Sequence, residues 1–369
     1  MTTETITAVD AGVKTLKLSP PAPAKEAKPQ WFSETGLPDE AYPYKHLLPT
    51  FDGHLKLPPL TEFEHKDPAH EALKHADPIA FLANAEVDEL TPRFGSEVSG
   101  VQLSQLDDAG RQQLALFVAQ RGVVAFRDQD FIDQTPEWQI NNWGQFFGRP
   151  HIHPTSGAPE GYPEFHLVYR SPNSTLNFER PDQLTSVLWH SDVTYEKQPP
   201  GLTALFLYDS PKSGGDTSYV DQRQAYARLS PQLAAFVETL KATHSGVEQA
   251  EHSRKGKRGG IVKREPVINE HPVVRRHPVT GEKALFINRQ FTRRIVGLKK
   301  EESDALLELL YGHIEKGADF QVRLRWRPRT VVLWDNRITA HSALVDFDAV
   351  STAKRHGARI TPQAERPFI

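Results

Sequence analysis

The chain has 369 residues and no cysteine, and its 44 Lys and Arg residues nearly balance 47 Asp and Glu residues. The lack of cysteine excludes disulfides, thiolate metal sites and cysteine nucleophiles, so any metal must be held by His, Asp and Glu. Acidic and basic residues are mixed along the chain, which argues against nucleic acid or a membrane surface as the main partner. There is no signal-peptide pattern and no apolar run near 18 residues, so we expect a cytoplasmic protein.

The N-terminal part of the chain falls into two segments. Residues 1–30 are rich in Pro, Ala, Lys and Glu and poor in large apolar groups, so we expect a disordered tail. Residues 31–87 contain aromatic and leucine anchors among many prolines and histidines. We expect this segment to wrap over the main domain without a core of its own. The main domain is expected to span residues 88–369.

Hydrophobic periodicity predicts the elements of the main domain in chain order. A helix over residues 104–121 precedes a buried strand over 123–126 and a helix over 135–147. Later helices are predicted over residues 221–228, 231–240 and 300–316. Strands are predicted over residues 165–169, 186–189, 202–208, 217–220, 273–277, 284–288, 320–326 and 330–334. Many short strands with few helices favour a mostly β fold with flanking helices, either a barrel or a double-sheet jelly roll.

Four His-x-Asp or His-x-Glu pairs occur in the chain, and only one has the context of a metal site. The pairs beginning at His65 and His75 lie in the N-terminal segment, where a solvated loop is the better interpretation. His313 and Glu315 fall on a predicted helix, where residues two apart point to different faces. The remaining pair, His190 and Asp192, follows the strand-like run that ends at Trp189.

Residues i and i+2 of an extended chain project from the same face, so His190 and Asp192 can reach one cation. A second imidazole from a distant strand would complete a set of two His and one carboxylate with open coordination positions. His341, just after the buried-looking run 331–334, is the best candidate. Asn336 and Arg337 are interpreted as residues that orient His341, with a simple turn-stabilising pair as the alternative.

Arg355 and Arg359 follow His341 by 14 and 18 residues. If that stretch returns into the barrel, a guanidinium there can bind a carboxylate through two parallel hydrogen bonds. The alternative is a solvated basic end of the chain. Trp326 and Trp334 are interpreted as core residues, and His244, His271 and His277 as structural histidines.

With these residues in place, the chain resembles taurine dioxygenase and its fungal sulfonate dioxygenase relatives, which belong to the iron- and 2-oxoglutarate-dependent superfamily. The matching stretches run from about residue 88 to the C-terminus in the family's order. They are residues 151–154 (HIHP), 189–194 (WHSDVT), 213–217 (SGGDT), 271–275 (HPVVR), 286–288 (FIN), 291–295 (FTRRI) and 334–337 (WDNR), with Arg355 and Arg359.

The resemblance implies a double-stranded β-helix, or jelly-roll, core and a set of functional residues. His190, Asp192 and His341 would bind Fe(II), and Thr217 and Arg355 would hold the distal carboxylate of the co-substrate 2-oxoglutarate. O2 would be the second co-substrate.

The resemblance also implies a small anionic organic substrate, expected to be a sulfonate. His153 and Arg359 match positions that contact the substrate sulfonate. The family's substrate-pocket tyrosine and asparagine are replaced here by Ser156 and Ser186, so the rest of the substrate can differ. The loop over residues 243–263 also departs from the family's lid sequence. The Arg-, Lys- and Gly-rich run within it, residues 254–260, is interpreted first as a mobile surface loop, second as a substrate-gating lid and third as a nuclear address.

The implied reaction is hydroxylation of the carbon next to the sulfonate, which releases sulfite and an aldehyde together with succinate and CO2. One alternative keeps the cofactors and changes the substrate to a sulfate ester, an aryloxyalkanoate or a purine. A zinc hydrolase and a barrel that only binds a ligand are alternatives from other classes. The sequence leaves open whether the chain forms a homo-oligomer.

Overall fold

The structure is a computed structural model that describes residues 42–170, 188–256, 259–347 and 354–369. The tail predicted over residues 1–30 lies outside the described residues, as does the predicted substrate residue Ser186.

The main domain combines α-helices with a larger number of short strands. In the described residues the α-helices are α1 (Ala69–Ala72), α2 (Asp108–Arg121), α3 (Gln222–Ala227), α4 (Pro231–Glu238), α5 (Val247–Arg254) and α6 (Lys300–Glu315). The strands are β1 (Glu86–Glu89), β2 (Ser96–Ser99), β3 (Val123–Phe126), β4 (Arg149–Pro150), β5 (His166–Arg170), β6 (Leu202–Asp209), β7 (Thr217–Asp221), β8 (Lys241–Ser245), β9 (Ile268–Pro272), β10 (Val274–Arg276), β11 (Lys283–Leu285), β12 (Thr292–Ile295), β13 (Gln321–Leu324), β14 (Val331–Asp335), β15 (Thr339–Ala343), β16 (Arg355–Ile360) and β17 (Pro362–Gln363).

Two sheets form the centre of the fold. The larger has the strand order β1-β2-β3-β14-β6-β16-β5, and the smaller has the order β13-β7-β15. Side chains of both sheets share one apolar cluster, in which Tyr219 of β7 packs with Leu205 of β6 and Trp334 of β14. This is the mostly β, jelly-roll core with flanking helices that was predicted. The core therefore lies between two sheets that face each other.

Strand β14 shows how the alternating side chains divide between two layers. Val332 and Trp334 point into the cluster between the sheets, whereas Val331 and Leu333 belong to a second cluster on the outer face of the large sheet. Helix α2 covers that outer face with Leu114, Phe117 and other apolar side chains. Because side chains of a strand alternate between faces, a strand buried on both sides reads as a continuous apolar run.

Three predicted elements differ in detail from the structure. The helix over residues 135–147 contains a π-helix (Trp138–Trp143) followed by a 3-10 helix (Gly144–Phe147). The predicted strand 273–277 is shortened to β10, and a separate strand β9 ends just before it. The predicted strand over 186–189 lies partly outside the described residues, and residues 188 and 189 are not in a strand.

The described part of the N-terminal segment lies against the main domain. Thr50 and Ala158 exchange backbone hydrogen bonds of 2.8 and 3.3 Å. Further along, the Leu57 amide donates to the Lys263 carbonyl at 2.7 Å. One expectation for this segment is wrong. Asp67 was interpreted as part of a solvated loop. Its side chain is only 6% exposed, and it forms an ion pair with the buried Arg337.

None of the helices in the described residues combines the length and the apolar character that a membrane span requires.

Gly357 is predicted to be required by the close packing of β16 against β6. A Cβ atom at this position would lie 2.4 Å from both Leu207 Cδ2 and the Phe206 carbonyl oxygen. We therefore expect Gly357→Ala to lower the free energy of unfolding by about 1–3 kcal/mol, as overpacking of a core does. Urea denaturation measures this loss. Gly53→Ala is the control because no atom lies within 4 Å of its added Cβ; equal stability of the two variants would contradict the prediction.

Candidate metal centre and adjoining pocket

His190 and His341 are held together by their own backbones. The His190 amide donates to the His341 carbonyl at 3.0 Å, and the His341 amide donates to the His190 carbonyl at 2.8 Å. This isolated antiparallel bridge brings the two imidazole ring centroids to 4.3 Å. His341 itself lies on β15, where it is paired with Tyr219 of β7. The small sheet therefore fixes the position of both imidazoles.

Asp192 completes a compact group with the two histidines. Its Oδ1 lies 3.7 Å from His190 Nε2 and 3.8 Å from His341 Nε2. The three residues form the one group of at least three His, Asp or Glu in the described part of the chain whose ligand atoms all lie within 4.8 Å of one another. The structure thus brings together the three residues that were predicted to share a cation.

The reason for this convergence differs from the sequence argument, which assumed an extended chain from His190 to Asp192. Residues 192–195 form a turn, and Val193 has a φ of 41°. A positive φ is unfavourable for a β-branched residue, so the surrounding structure must hold it in place. The Val193 side chain is buried and packs with Tyr195 and Phe291. A strained turn beside a buried cluster, rather than a strand, directs the carboxylate toward the imidazoles.

The donor atoms of this group fit a divalent metal ion. His190 Nδ1 lies 3.0 Å from the Leu188 carbonyl oxygen, which accepts its proton and leaves the Nε2 lone pair for a ligand bond. Asp192 Oδ2 and both ring nitrogens of His341 are buried, and none has a hydrogen-bond partner within the described residues. Unpaired buried polar atoms are costly, and a cation bound by Asp192 and by Nε2 of His341 would give a partner to that carboxylate and that nitrogen.

Electrostatics keep His341 in the form that a metal requires. Burial lowers the pKa of His341 well below its usual value, and the nearby His190 imidazole and Arg359 guanidinium lower it further. The imidazole is therefore neutral at physiological pH, as a nitrogen ligand must be. Two imidazoles and one carboxylate suit Fe(II) when coordination positions stay open.

Asn336 supports the metal centre, but through Asp192 and not through His341. Its Oδ1 accepts a hydrogen bond of 2.6 Å from the Asp192 amide, and its Nδ2 donates to the Asp192 carbonyl at 3.1 Å. Both backbone groups of the acidic ligand are therefore held by one side chain. Arg337 bonds to the carboxylates of Asp335, Asp67 and Glu365. The prediction that this pair orients His341 is corrected accordingly.

The inner face of β16 carries both predicted arginines. Arg355, Gly357 and Arg359 alternate with Ala358 and Ile360, whose side chains belong to the outer cluster. Arg355 Nε donates to the Gly215 carbonyl at 2.9 Å, and its Nη2 donates to Thr217 Oγ1 at 3.3 Å. The structure therefore brings Arg355 and Thr217 together and buries both, which excludes a solvated basic end at these positions.

Arg359 lies beside the metal centre. Its Nη1 forms a short ion pair with Asp192 Oδ1, and its guanidinium lies 5.4 Å from the centre of the Trp334 ring. Arg359 Nε is buried and has no partner within the described residues. The guanidinium thus has a donor left for a ligand that enters this space.

His166 is a residue of this pocket that the sequence analysis missed. It is paired with Arg359 across β5 and β16, and its ring centroid lies 4.3 Å from that of His153. The Thr155 amide donates to His153 Nδ1 at 3.2 Å, so a neutral His153 carries its proton on Nε2. The only available signal was the alternation within the predicted strand 165–169, which separates His166 from the outward-facing Leu167. We call His153, His166 and Arg359 the anion pocket.

Other histidines that were interpreted as structural are buried and bonded to the protein. His277 Nε2 lies 2.9 Å from Asp335 Oδ2, His244 Nδ1 lies 2.9 Å from Thr194 Oγ1, and His271 Nε2 lies 2.9 Å from the Glu196 carbonyl. Trp326 and Trp334 are core residues as predicted.

In two of the rejected His-x-acid pairs, the histidine and the acidic residue have different surroundings. His75 bonds to Gln112, whereas Asp77 is exposed. His313 bonds to the Ala225 carbonyl, whereas Glu315 pairs with Arg289, so these two side chains diverge.

The segment predicted as a loop or lid, residues 243–263, is more regular than expected. It begins in β8 and continues through α5, and residues 257 and 258 lie outside the described residues. Lys263 at its end is buried, which lowers the pKa of its amine to about 8. The description of residues 243–263 as a loop is wrong for the parts in β8 and α5, and a gating role stays a prediction.

A metal titration tests the three candidate ligands. We expect Mn(II), which binds nitrogen and oxygen sites more weakly than Fe(II), to raise the free energy of unfolding by about 2.7 kcal/mol at one hundred times its dissociation constant. Asp192→Ala should lose this metal-dependent gain. Asp77→Ala, in the exposed His-x-Asp pair, is the matched control and should keep it. Undiminished stabilisation of Asp192→Ala by Mn(II) would rule out the site.

Similarity to known proteins agrees with this geometry. Residues 86–361 match the family described as taurine catabolism dioxygenase TauD, TfdA family. An alpha-ketoglutarate-dependent sulfonate dioxygenase of Saccharomyces cerevisiae is 44% identical over 329 residues, which cover 88% of this chain and 78% of that protein. An alpha-ketoglutarate-dependent dioxygenase of Penicillium expansum is 40% identical, over 88% of this chain and 87% of that protein.

Among solved structures, a taurine dioxygenase from Burkholderia xenovorans is 33% identical with a TM-score of 0.62, and the match covers 77% of this chain and 92% of that chain. The family match includes every predicted metal, 2-oxoglutarate and substrate residue, and the fold agrees with it. The chain therefore belongs to the TauD/TfdA family of dioxygenases.

Proposed function

We propose that the protein is an Fe(II)- and 2-oxoglutarate-dependent dioxygenase that hydroxylates the carbon next to a sulfonate. The hydroxylated product then loses sulfite and becomes an aldehyde, while 2-oxoglutarate and O2 yield succinate and CO2. The observation that carries the proposal is the group of His190, Asp192 and His341, in which Asp192 and His341 are buried and Arg359 is paired with Asp192. The sulfonate dioxygenase relative at 44% identity supports the choice of substrate class.

His190, Asp192 and His341 would hold the iron. When bound, Fe(II) would supply the activation of O2 and the oxidation of the substrate C–H bond. The protein provides the geometry of the ligands, neutral imidazoles and a site from which water is excluded. Burial of His341 among Tyr219 and Trp334, with ring centroids 5.8 and 5.1 Å away, contributes to that exclusion.

Arg355 and Thr217 would bind the distal carboxylate of 2-oxoglutarate. The Arg355 guanidinium is oriented by its bond to the Gly215 carbonyl, and such a planar group suits two parallel bonds to a carboxylate. Thr217 Oγ1 accepts hydrogen bonds from Arg355 and from Trp326 Nε1, the latter at 3.1 Å. Its own hydroxyl proton is then directed to another acceptor, such as a carboxylate oxygen.

The anion pocket would bind the sulfonate. Sulfonate oxygens are hydrogen-bond acceptors, and Arg359 offers a charged donor while the imidazoles of His153 and His166 offer ring N–H donors. The ion pair between Arg359 and Asp192 links this pocket directly to the metal centre. Substrate binding would therefore place the carbon next to the sulfonate close to the iron. Ser186 stays a predicted substrate residue.

An assay of small sulfonates, sulfate esters and aryloxy acids with Fe(II), 2-oxoglutarate and air tests the proposed reaction. We expect sulfite and succinate to appear together, in equal amounts, with a sulfonate, because each turnover releases one of each. Both products should fall to background under nitrogen. Succinate without sulfite from every sulfonate would leave the dioxygenase but overturn the sulfonate substrate. Turnover under nitrogen without 2-oxoglutarate would instead indicate a hydrolase.

Arg355→Lys tests the proposed 2-oxoglutarate contact. Lys keeps the charge but cannot form two parallel hydrogen bonds, and a charge-assisted bond is worth roughly 1.5–3 kcal/mol. We therefore expect the KM for 2-oxoglutarate to rise by about tenfold or more, while the KM for the sulfonate changes little. Arg325→Lys, at an exposed position, is the control. A rise in the sulfonate KM alone would assign Arg355 to the substrate instead.

A further inference from the structure

A buried ionic cluster flanks Asn336, the residue that is hydrogen-bonded to the backbone of Asp192. Arg337 is 3% exposed and donates from Nε and Nη2 to the two oxygens of Asp335, at 2.8 and 2.7 Å. Its Nη1 donates to Asp67 at 2.5 Å and to Glu365 at 3.3 Å. We call Arg337, Asp335, Asp67 and Glu365 the ionic cluster. Three acidic residues from separate parts of the chain therefore meet on one guanidinium.

Asp67 and Glu365 both lie outside the family match, which spans residues 86–361, and Asp67 is the member that comes from the N-terminal segment. Its Oδ1 accepts a hydrogen bond of 2.9 Å from the Ala69 amide at the start of α1. Ala69 and Ala72 of that helix are fully buried in the outer apolar cluster. The carboxylate of Asp67 is thus fixed from one side by the N-terminal segment and from the other by Arg337.

Burial alone would raise the pKa of Asp67, but the Arg337 guanidinium holds it below its usual value. Asp67 is therefore ionised and its charge is matched inside the protein. Removing one partner of a buried pair leaves the other partner uncompensated, so the remaining groups must rearrange.

The ionic cluster reaches the metal centre through one residue. Asn336 lies between Asp335 and Arg337, and its side chain holds both the amide and the carbonyl of Asp192. The turn that presents Asn336 is closed by the Arg337 amide, which donates to Asp335 Oδ1 at 2.9 Å. Any shift of Arg337 therefore moves the residue that holds the acidic ligand.

We propose that Asp67 is a positioning residue of the metal centre, which acts through Arg337 and Asn336 on the placement of Asp192. The N-terminal segment is then part of the catalytic architecture and not a covering alone. This inference rests on the proposed metal site at His190, Asp192 and His341. Asp67 touches neither metal nor substrate, so its effect is on ligand geometry.

Mn(II) binding to the full-length protein, followed by the EPR signal of the free ion without 2-oxoglutarate, tests the inference. Mutations of residues that orient metal ligands typically weaken metal binding about 10–100-fold. Because Asp67 acts through two intermediates, we expect Asp67→Asn to weaken Mn(II) binding by about tenfold, the low end of that range. Asp67→Glu, which keeps the charge, should restore part of the affinity and serves as a second variant if Asp67→Asn folds poorly.

Phe81→Ala is the matched control for a loosened N-terminal segment. Phe81 packs on Phe117 and has no polar link to Arg337 in the described residues. It should lower the melting temperature but leave the Mn(II) affinity unchanged. Equal losses of affinity in Asp67→Asn and Phe81→Ala, or a loss of stability alone in both, would overturn the positioning role.

A double-mutant cycle with Asn336→Ala tests the route. If Asp67 acts through Asn336, Asp67→Asn should weaken Mn(II) binding much less in the Asn336→Ala background than in the wild type. Full additivity of the two losses would overturn that route. Failure of the proposed metal site is distinguishable, because wild-type protein would then not bind Mn(II) at all.

Discussion

The reciprocal backbone hydrogen bonds between His190 and His341 are the constraint on which the site depends. They join a segment that is not part of a regular strand to β15, and they bring together two imidazoles that are far apart in the sequence. Side-chain rotation alone could not achieve this. Once the two backbones are paired, the turn through Val193 and the hydrogen bonds between Asn336 and the Asp192 backbone direct the Asp192 carboxylate toward the two imidazoles.

The larger sheet supplies the charges around that point through the simple alternation of β16. Its inner face presents Arg355 toward Thr217 and Arg359 toward Asp192, while Ala358 and Ile360 on its outer face belong to the outer apolar cluster. Gly357 lies between the two arginines, where β6 leaves no room for a side chain. One strand thus places Arg355 beside Thr217 and Arg359 beside Asp192, where the two arginines are proposed to bind different ligands.

Much of this could be predicted from the sequence because it depends on local pattern. Periodicity identified the apolar run of β14 and the helix α2, and motif and spacing selected the three candidate metal ligands that the structure brings together. The strained turn at Val193 and the role of His166 depend on which strands are neighbours, which spacing does not encode. The burial of Asp67 was missed for the same physical reason, since its partner Arg337 lies far away in the chain and a charged residue among prolines resembles a solvated loop.

The central claim is that His190, Asp192 and His341 hold one divalent ion whose open positions face the two arginines of β16. A crystal structure of the protein with Mn(II) and 2-oxoglutarate, with the ion located by its anomalous scattering, tests this most directly. The account predicts one peak within bonding distance of His190 Nε2, a carboxylate oxygen of Asp192 and His341 Nε2, and a 2-oxoglutarate carboxylate paired with Arg355. A peak elsewhere, or 2-oxoglutarate bound away from Arg355, would contradict it.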